Sequence, residues 1–176
     1  MELTLHNYSQ AREVPLARGI GWGLVGGLAG TLVMDAILMA GLSAAGLSAL
    51  TCFSIVGNTV AQFFSILGIE VAGGVQLGIE THYLIGPLIG ALFGVIVTQV
   101  KSLRVDSLKK SILFAVLYVE ILAQPILATT PILLKMTAAE TLQWFGFSFV
   151  MHFLMAVVLG VVVSYGLRLA VTVEHT

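Results

Sequence analysis

The stretch HYLIGPLIGALFG, residues 82–94, decides the fold of this chain. Residues four apart lie on one face of a helix, so this stretch aligns a histidine with three positions that have no side chain. The stripe comprises His82, Gly86, Gly90 and Gly94. Another helix backbone can approach such a face closely. The stretch therefore predicts a tightly packed helix with an ionisable ring at one end of the contact.

The same plan recurs seventy residues later in the chain. There the stripe consists of a histidine followed by small side chains: His152, Ala156, Gly160 and Ser164. In both stretches an aromatic residue and then a leucine follow the histidine. The repetition predicts two copies of one helix hairpin.

The composition is typical of a membrane protein. Of the 176 residues, 58% are hydrophobic and 10% are charged, and the mean hydropathy is +1.03. Soluble globular chains carry about 25% charged residues. The formal charge of -1 comes with no basic cluster interleaved with aromatic residues, so we expect no nucleic-acid partner. The one cysteine, Cys52, excludes a disulfide within the chain.

Four apolar stretches are long enough to cross a bilayer, which takes about 20 residues. They cover approximately residues 19–46, 81–100, 111–134 and 137–168. The first carries its own small-residue stripe, which ends in an acid: Gly19, Gly23, Gly27, Thr31 and Asp35. Pro125 and Pro131 are expected to kink the third. Thr137 and Glu140 have the spacing of a capping box, which marks the start of the last helix.

Residues 51–67 follow a different pattern, with polar residues along one side of a helix and apolar residues along the other. The polar stripe comprises Thr51, Ser54, Asn58, Gln62 and Ser65. A helix of this kind lies at the membrane surface, enters and leaves the bilayer from one side, or spans it with a polar face. If it crossed, the basic residues within 101–110 and the N-terminal arginines would lie on opposite sides. We therefore place it on the outer side, as an interfacial or re-entrant helix.

Lysine and arginine residues predict the orientation. With four crossings, seven of the eight fall on one side and only Lys135 falls on the other, which favours the cytoplasm for the seven. The sequence thus predicts an integral protein of the cytoplasmic (inner) membrane with both termini in the cytoplasm. Its parts are a cytoplasmic segment 1–18, a first hairpin 19–100 that includes the helix 51–67, a basic cytoplasmic loop 101–110, a second hairpin 111–170 and a tail 171–176.

Five polar side chains are expected to meet inside the bundle, because an ionised group facing lipid costs at least about 2.5 kcal/mol. This intramembrane cluster comprises Asp35, His82, Glu120, Gln124 and His152. In one interpretation its hydrogen bonds pin the helices together. In a second, His82, His152 and Asp35 bind a transition metal or a haem iron. In a third, the acids and histidines relay protons past a cavity lined by Thr51, Ser54, Asn58 and Gln62.

A resemblance rests on three features. The first span begins Arg18-Gly19 and contains Gly30-Thr31-x-x-Met34, an amphipathic segment follows it, and residues 82–94 have the pattern HxxxGxxxGxxxG. In these features the chain resembles small uncharacterised prokaryotic membrane proteins with four helices. The resemblance implies a four-helix membrane fold, and it brings no activity or site residue.

We therefore expect an all-α polytopic membrane four-helix bundle, made of two tandem hairpins related by a pseudo-twofold axis along the membrane normal. The sequence has no phosphate loop, nucleophile elbow or dinucleotide fingerprint, so it does not indicate an enzyme. The leading expectation is a packing or assembly subunit whose glycine faces contact further copies or other membrane subunits in the lipid bilayer. A metal- or haem-binding protein and a small proton-coupled transporter or channel are the alternatives.

Overall fold

The computed structural model describes residues 15–105 and 107–173, the last five by their backbone. Over these ranges the chain is helical and contains no strand. The helices in chain order are α1 (Leu16–Ala44), α2 (Thr51–Ile66), α3 (Val75–Gln99), α4 (Leu108–Leu127), α5 (Thr129–Leu133) and α6 (Ala138–Val173), with a 3-10 turn at Lys101–Leu103. Residues 1–14 of the predicted segment 1–18 and residues 174–176 of the predicted tail lie outside the described residues.

Four helical segments are long and apolar enough to cross a membrane. They are α1, α3, α4 together with α5, and α6. The prediction of an all-helical chain with four long apolar helices is therefore confirmed.

α1 and α3 pack antiparallel along their small-residue stripes. The opposed pairs are Gly19 with Gly94, Gly23 with Gly90, and Gly27 with Gly86. A Cβ atom added at Gly23 would overlap the Gly90 backbone, and one added at Gly90 would overlap the backbone of Gly23 and Gly27. The two helix backbones are thus in direct contact over three turns, which no residue larger than glycine permits.

α6 lies between α1 and α4. Toward α1, its Met155 and Leu159 pack over Gly30 and Gly26. Toward α4, the predicted small face of α6 is buried and comprises Ala156, Gly160 and Ser164. The Ser111 hydroxyl of α4 donates a 2.7 Å hydrogen bond to the Gly160 carbonyl. The order of the long helices across the bundle is therefore α3, α1, α6, α4.

The hydrophobic core lies where α3, α4 and α6 meet. It comprises Phe93, Val97, Ala115, Val119, Ala156, Leu159, Val163 and Leu167. α3 and α4 approach each other mainly at Tyr118, whose hydroxyl donates to the Ile89 carbonyl at 3.0 Å and whose ring lies 5.4 Å from that of Phe93.

α2 packs across the beginning of α3. The missing side chain of Gly78 makes room for the Phe53 backbone, and Gly57 lies against Gly74. On the side toward α5, the hydroxyl oxygens of Thr59 and Thr130 are within hydrogen-bond distance at 3.3 Å, and the Thr59 hydroxyl also contacts the Ile55 carbonyl of its own helix at 2.8 Å. α2 therefore connects the start of α3 with the break between α4 and α6.

Several predicted boundaries are corrected. α3 begins at Val75, not near residue 81, directly after Gly74, which adopts φ +98° and ends the irregular connection. Gln76 then donates to Glu80 one turn later, which supports the early start. α1 begins at Leu16, and α6 continues past residue 168 to Val173.

The proline and capping predictions agree with the structure. α4 contains Pro125 and ends at Leu127, and α5 is a separate short helix, so the third apolar segment is broken as its prolines require. In the predicted capping box, the Thr137 amide donates to Glu140 Oε2 at 2.7 Å. The Glu140 amide donates back to Thr137 Oγ1 at 3.3 Å.

Candidate functional site

Asp35 on α1 and His82 on α3 meet at the end of the glycine contact. The backbone contact at Gly27 and Gly86 fixes the register of the two helices. One turn from Gly86 along α3 is His82, and two turns from Gly27 along α1 is Asp35, and these two side chains meet. His82 Nδ1 is 3.0 Å from Asp35 Oδ1. The stripes that bring the backbones together therefore also create a carboxylate–imidazole pair.

The Asp35 carboxylate is almost fully enclosed. Its residue is 2% exposed, and its second oxygen, Oδ2, is buried with no hydrogen-bond partner among the described residues. A buried polar atom without a partner costs about 1–3 kcal/mol. The Tyr83 hydroxyl interacts with this carboxyl but makes no hydrogen bond of acceptable geometry to Oδ2. Asp35 therefore keeps one acceptor inside the bundle, where a proton or the Tyr83 hydroxyl would bind.

Each histidine forms its hydrogen bond through Nδ1. A carbonyl oxygen only accepts hydrogen bonds, so His152 Nδ1 carries a proton, and His82 Nδ1 carries one when the Asp35 carboxyl is ionised. The partner of His152 is the Ser148 carbonyl, at 2.7 Å. In each ring Nε2 is left as the nitrogen that can gain a proton.

The two histidines lie at the same height on either side of α1. Next to α1, Gly86 of α3 contacts Thr31, and Met155 of α6 contacts Gly30. α3 and α6 run in the same direction, and each histidine precedes its contact by about one turn. His82 and His152 are thus level, but His152 forms its hydrogen bond with its own helix.

α2 covers the Asp35–His82 pair. The buried ring of Phe53 makes an edge-on contact with the His82 imidazole, with centroids 5.2 Å apart and planes at 67°. Cys52 lies close enough to Asp35 to feel its charge, and burial together with that charge raises the pKa of the thiol to about 12. At neutral pH Cys52 is therefore a thiol and not a thiolate ligand.

Glu120 and Gln124 form a separate pair on α4. Gln124 Nε2 donates to Glu120 Oε2 at 2.7 Å, and Glu120 Oε1 is buried with no hydrogen-bond partner in the part of the chain that is described. Tyr118 points from α4 toward α3. Glu120 lies about 200° further round the helix, since each residue turns it by about 100°. The structure thus joins Asp35 to His82 and places Glu120 on the far side of α4.

A metal centre does not fit these residues. In the ranges 15–105 and 107–173, no three His, Cys, Asp or Glu side chains lie together in a way that could hold a metal ion. The proposed ligand set of His82, His152 and Asp35 is thus a hydrogen-bonded pair and a separate imidazole. We derive no chemistry from a metal or a haem.

The polar stripe of α2 does not face α3. Asn58 and Gln62 are exposed, Thr51 and Ser54 are half-buried, and the buried face comprises Phe53, Gly57 and Thr59. The sequence interpretation missed this face because Gly57 was not recognised as a contact residue. Gly57 and Gly78 were the available signal, since both mark close backbone approach.

Comparison with known proteins found no match: no family model, no curated protein and no solved structure is similar to this chain. The fold and site define a class, an all-helical protein with four helices of membrane-spanning length and a buried carboxylate–imidazole pair between two of them. We infer its function from that geometry.

Proposed function

We propose that this chain is an integral protein of the cytoplasmic membrane that moves protons, as a small channel or a proton-coupled transporter. In this proposal Asp35 and His82 are the proton-binding groups. One observation carries the proposal: a carboxylate that is 2% exposed, with one oxygen unpartnered, is hydrogen-bonded to an imidazole inside a bundle of membrane-length helices. Such a group is costly in a bilayer and is typically retained for function.

Membrane insertion is supported by the outer surface of the bundle. On α4, three large aliphatic side chains one turn apart are half or more exposed: Leu113, Leu117 and Ile121. Exposed apolar faces of this size suit lipid and not water. With four spans, the basic residues near the α3–α4 connection lie at the same end as the start of α1, which supports cytoplasmic termini.

The bundle consists, in this proposal, of two tandem hairpins, α1 with α3 and α4 with α6. Each pair packs through small residues, as the sequence repeat requires. A twofold axis relating the hairpins would also bring α3 and α4 together as closely as α1 and α6. α3 and α4 meet mainly at Tyr118, whereas α1 and α6 pack along their length. In this proposal the two hairpins are similar in themselves, but a twofold axis does not relate them.

The glycine faces favour the proton proposal over an assembly subunit. The glycine stripes of α1 and α3 pack against each other, and Gly160 of α6 packs against the backbone of α4. These faces therefore need no second copy and no other membrane subunit to cover them. A homo-oligomer would have to form through other surfaces.

The pair can pass a proton in one step. A proton that arrives at His82 Nε2 makes the ring cationic, and the proton on Nδ1 can then transfer along the 3.0 Å hydrogen bond to Asp35 Oδ1. The ring returns to neutral with its proton on Nε2, and Asp35 becomes a neutral acid. One proton has then crossed the imidazole without any movement of a helix.

The test is proton flux into liposomes that contain the purified protein and a pH-sensitive dye, driven by an imposed potassium diffusion potential. Asp35→Asn should abolish the flux, because the amide cannot accept the proton. Glu120→Gln is the matched control, since it likewise removes an acid from a membrane-length helix, but this acid is half-buried and lies on the far side of α4, so its flux should be unchanged. Flux in Asp35→Asn equal to wild type, or wild-type flux equal to empty liposomes, would overturn the proposal.

A further inference from the structure

α2 lies over the Asp35–His82 pair at this end of α1 and α3. Its Phe53 ring contacts the His82 imidazole edge-on. Phe53 is 3% exposed and seals one edge of the His82 imidazole. The preceding residue, Cys52, lies close enough to Asp35 to feel its charge. The first turn of α2 thus covers part of the pair: the Asp35 side chain is 3% exposed and the His82 side chain is 15% exposed.

The attachment of α2 is weaker than that of the long helices. It packs against the start of α3 through Gly57 and Gly78, and against α5 through the Thr59–Thr130 hydrogen bond. Its second half is turned outward, with Phe63 and Ile66 among the exposed side chains. An element held by so small a surface opens at lower free energy than the core helices.

Both ends of α2 join the bundle through glycines with positive φ. Gly46 precedes it with φ +74°, and Gly68 and Gly74 follow it with φ +76° and +98°. Glycine adopts such angles without steric cost and can change them, which is the property of hinge residues. α2 can therefore move as a unit while α1 and α3 stay packed.

We propose that α2 is a gate, and that its movement away from α3 opens the Asp35–His82 pair to the outer side of the membrane. In the closed state Phe53 covers His82; in the open state Phe53 and Cys52 leave the pair together. The identity of the admitted species, a proton, rests on the proposed function. The movement itself does not, and it is measured without flux.

Cys52 is the reporter for the movement because it is the only cysteine in the chain and its side chain is half-buried near Asp35 when the gate is closed. A membrane-impermeant maleimide is added to the outer face of vesicles at one fixed pH, and modification of the Cys52 peptide is followed by mass spectrometry. Thr130→Val removes the hydrogen bond to α2, and modification should become about 2- to 10-fold faster, as expected for the loss of one hydrogen bond.

Thr129→Val is the matched control. Thr129 is the neighbour of Thr130 on α5, but its hydroxyl donates to the Ile126 carbonyl of the preceding turn and not to α2. The rate should equal that of wild type. Equal rates in Thr130→Val and Thr129→Val would contradict the gate.

A lock gives the second test. The Thr59 and Thr130 hydroxyl oxygens are 3.3 Å apart, so a Thr59→Cys/Thr130→Cys protein can close a disulfide with a small shift. Oxidation should slow modification of the Cys52 peptide at least 10-fold, and reduction should restore it. Unchanged modification in the oxidised protein would overturn the gate, as would a Cys52 that never reacts until the protein is unfolded in detergent. If the lock controls modification in a protein without proton flux, the gate stands and only the proton function fails.

Discussion

Gly27 of α1 and Gly86 of α3 lie backbone against backbone, at the last contact before the site. Two turns beyond Gly27 is Asp35, and one turn before Gly86 is His82, whose Nδ1 is 3.0 Å from Asp35 Oδ1. Because the helices are in van der Waals contact here, the short side chains of aspartate and histidine reach each other. The close approach that Gly27 and Gly86 permit thus allows the hydrogen bond between Asp35 and His82.

Gly90→Ala should destabilise the bundle by about 1–3 kcal/mol, the usual cost of overpacking. The new Cβ would lie 2.7 Å from the Gly27 Cα, so α1 and α3 would have to separate. Gly21→Ala on α1 is the control, because nothing lies within 4 Å of a Cβ there. Thermal midpoints in mild detergent compare the two, and equal midpoints would contradict the backbone contact.

Asp35 and His82 should be energetically coupled. In a double-mutant cycle with Asp35→Asn and His82→Ala, the second substitution should cost less once the first has been made. We expect a coupling free energy of about 0.5–3 kcal/mol, the range for residues in one hydrogen-bonded pair. Unfolding in mixed micelles measures each corner of the cycle, and simple additivity would mean that the 3.0 Å contact contributes nothing to stability.

Ser111→Ala should weaken the contact between α4 and α6. The Ser111 hydroxyl is fully buried and donates to the Gly160 carbonyl at 2.7 Å, so its loss should cost about 1 kcal/mol. Ser65→Ala removes an exposed hydroxyl from α2 and should leave the midpoint unchanged. A shift of the same size in both variants would show that the interhelical bond is not the cause.

Cys52 should make the protein less stable at high pH. The folded thiol has a pKa of about 12 against an ordinary value of 9.0, so the unfolded chain loses this proton at lower pH than the folded chain. The free energy of unfolding should therefore fall as the pH rises above 9, by at most about 2 kcal/mol at pH 10.5. Cys52→Ala removes this loss but keeps every other titrating group. The difference between the two pH profiles is the measurement, and parallel profiles would refute the shift.

Local pattern was enough to predict the long helices, because helix periodicity depends on residues three and four apart. The stripe at 82–94, the capping box at Thr137 and the break caused by Pro125 and Pro131 all follow from neighbouring residues. The equal spacing of the glycines at 19, 23 and 27 and at 86, 90 and 94 is compatible with their contact but does not choose the partner of either set.

The depth of Glu120 in the bundle did not predict which way its side chain points. Its position along α4 places it level with His152, since Ser111 and Gly160 fix the register of those helices. Depth along a helix says nothing about direction around it, and Glu120 is turned away from α3 and bonded to Gln124. The expected convergence of both acids needed a rotation that only packing sets.

Composition and helical period are enough to predict an all-helical chain with four apolar helices of membrane-spanning length and small-residue faces that end in ionisable groups. The contact between the glycine faces of α1 and α3, the pairing of Asp35 with His82 and the position of Phe53 beside them are known from the folded chain. They could not be predicted because glycine faces of equal spacing fit one another equally well. The partner is chosen by the whole set of contacts between helices distant in sequence.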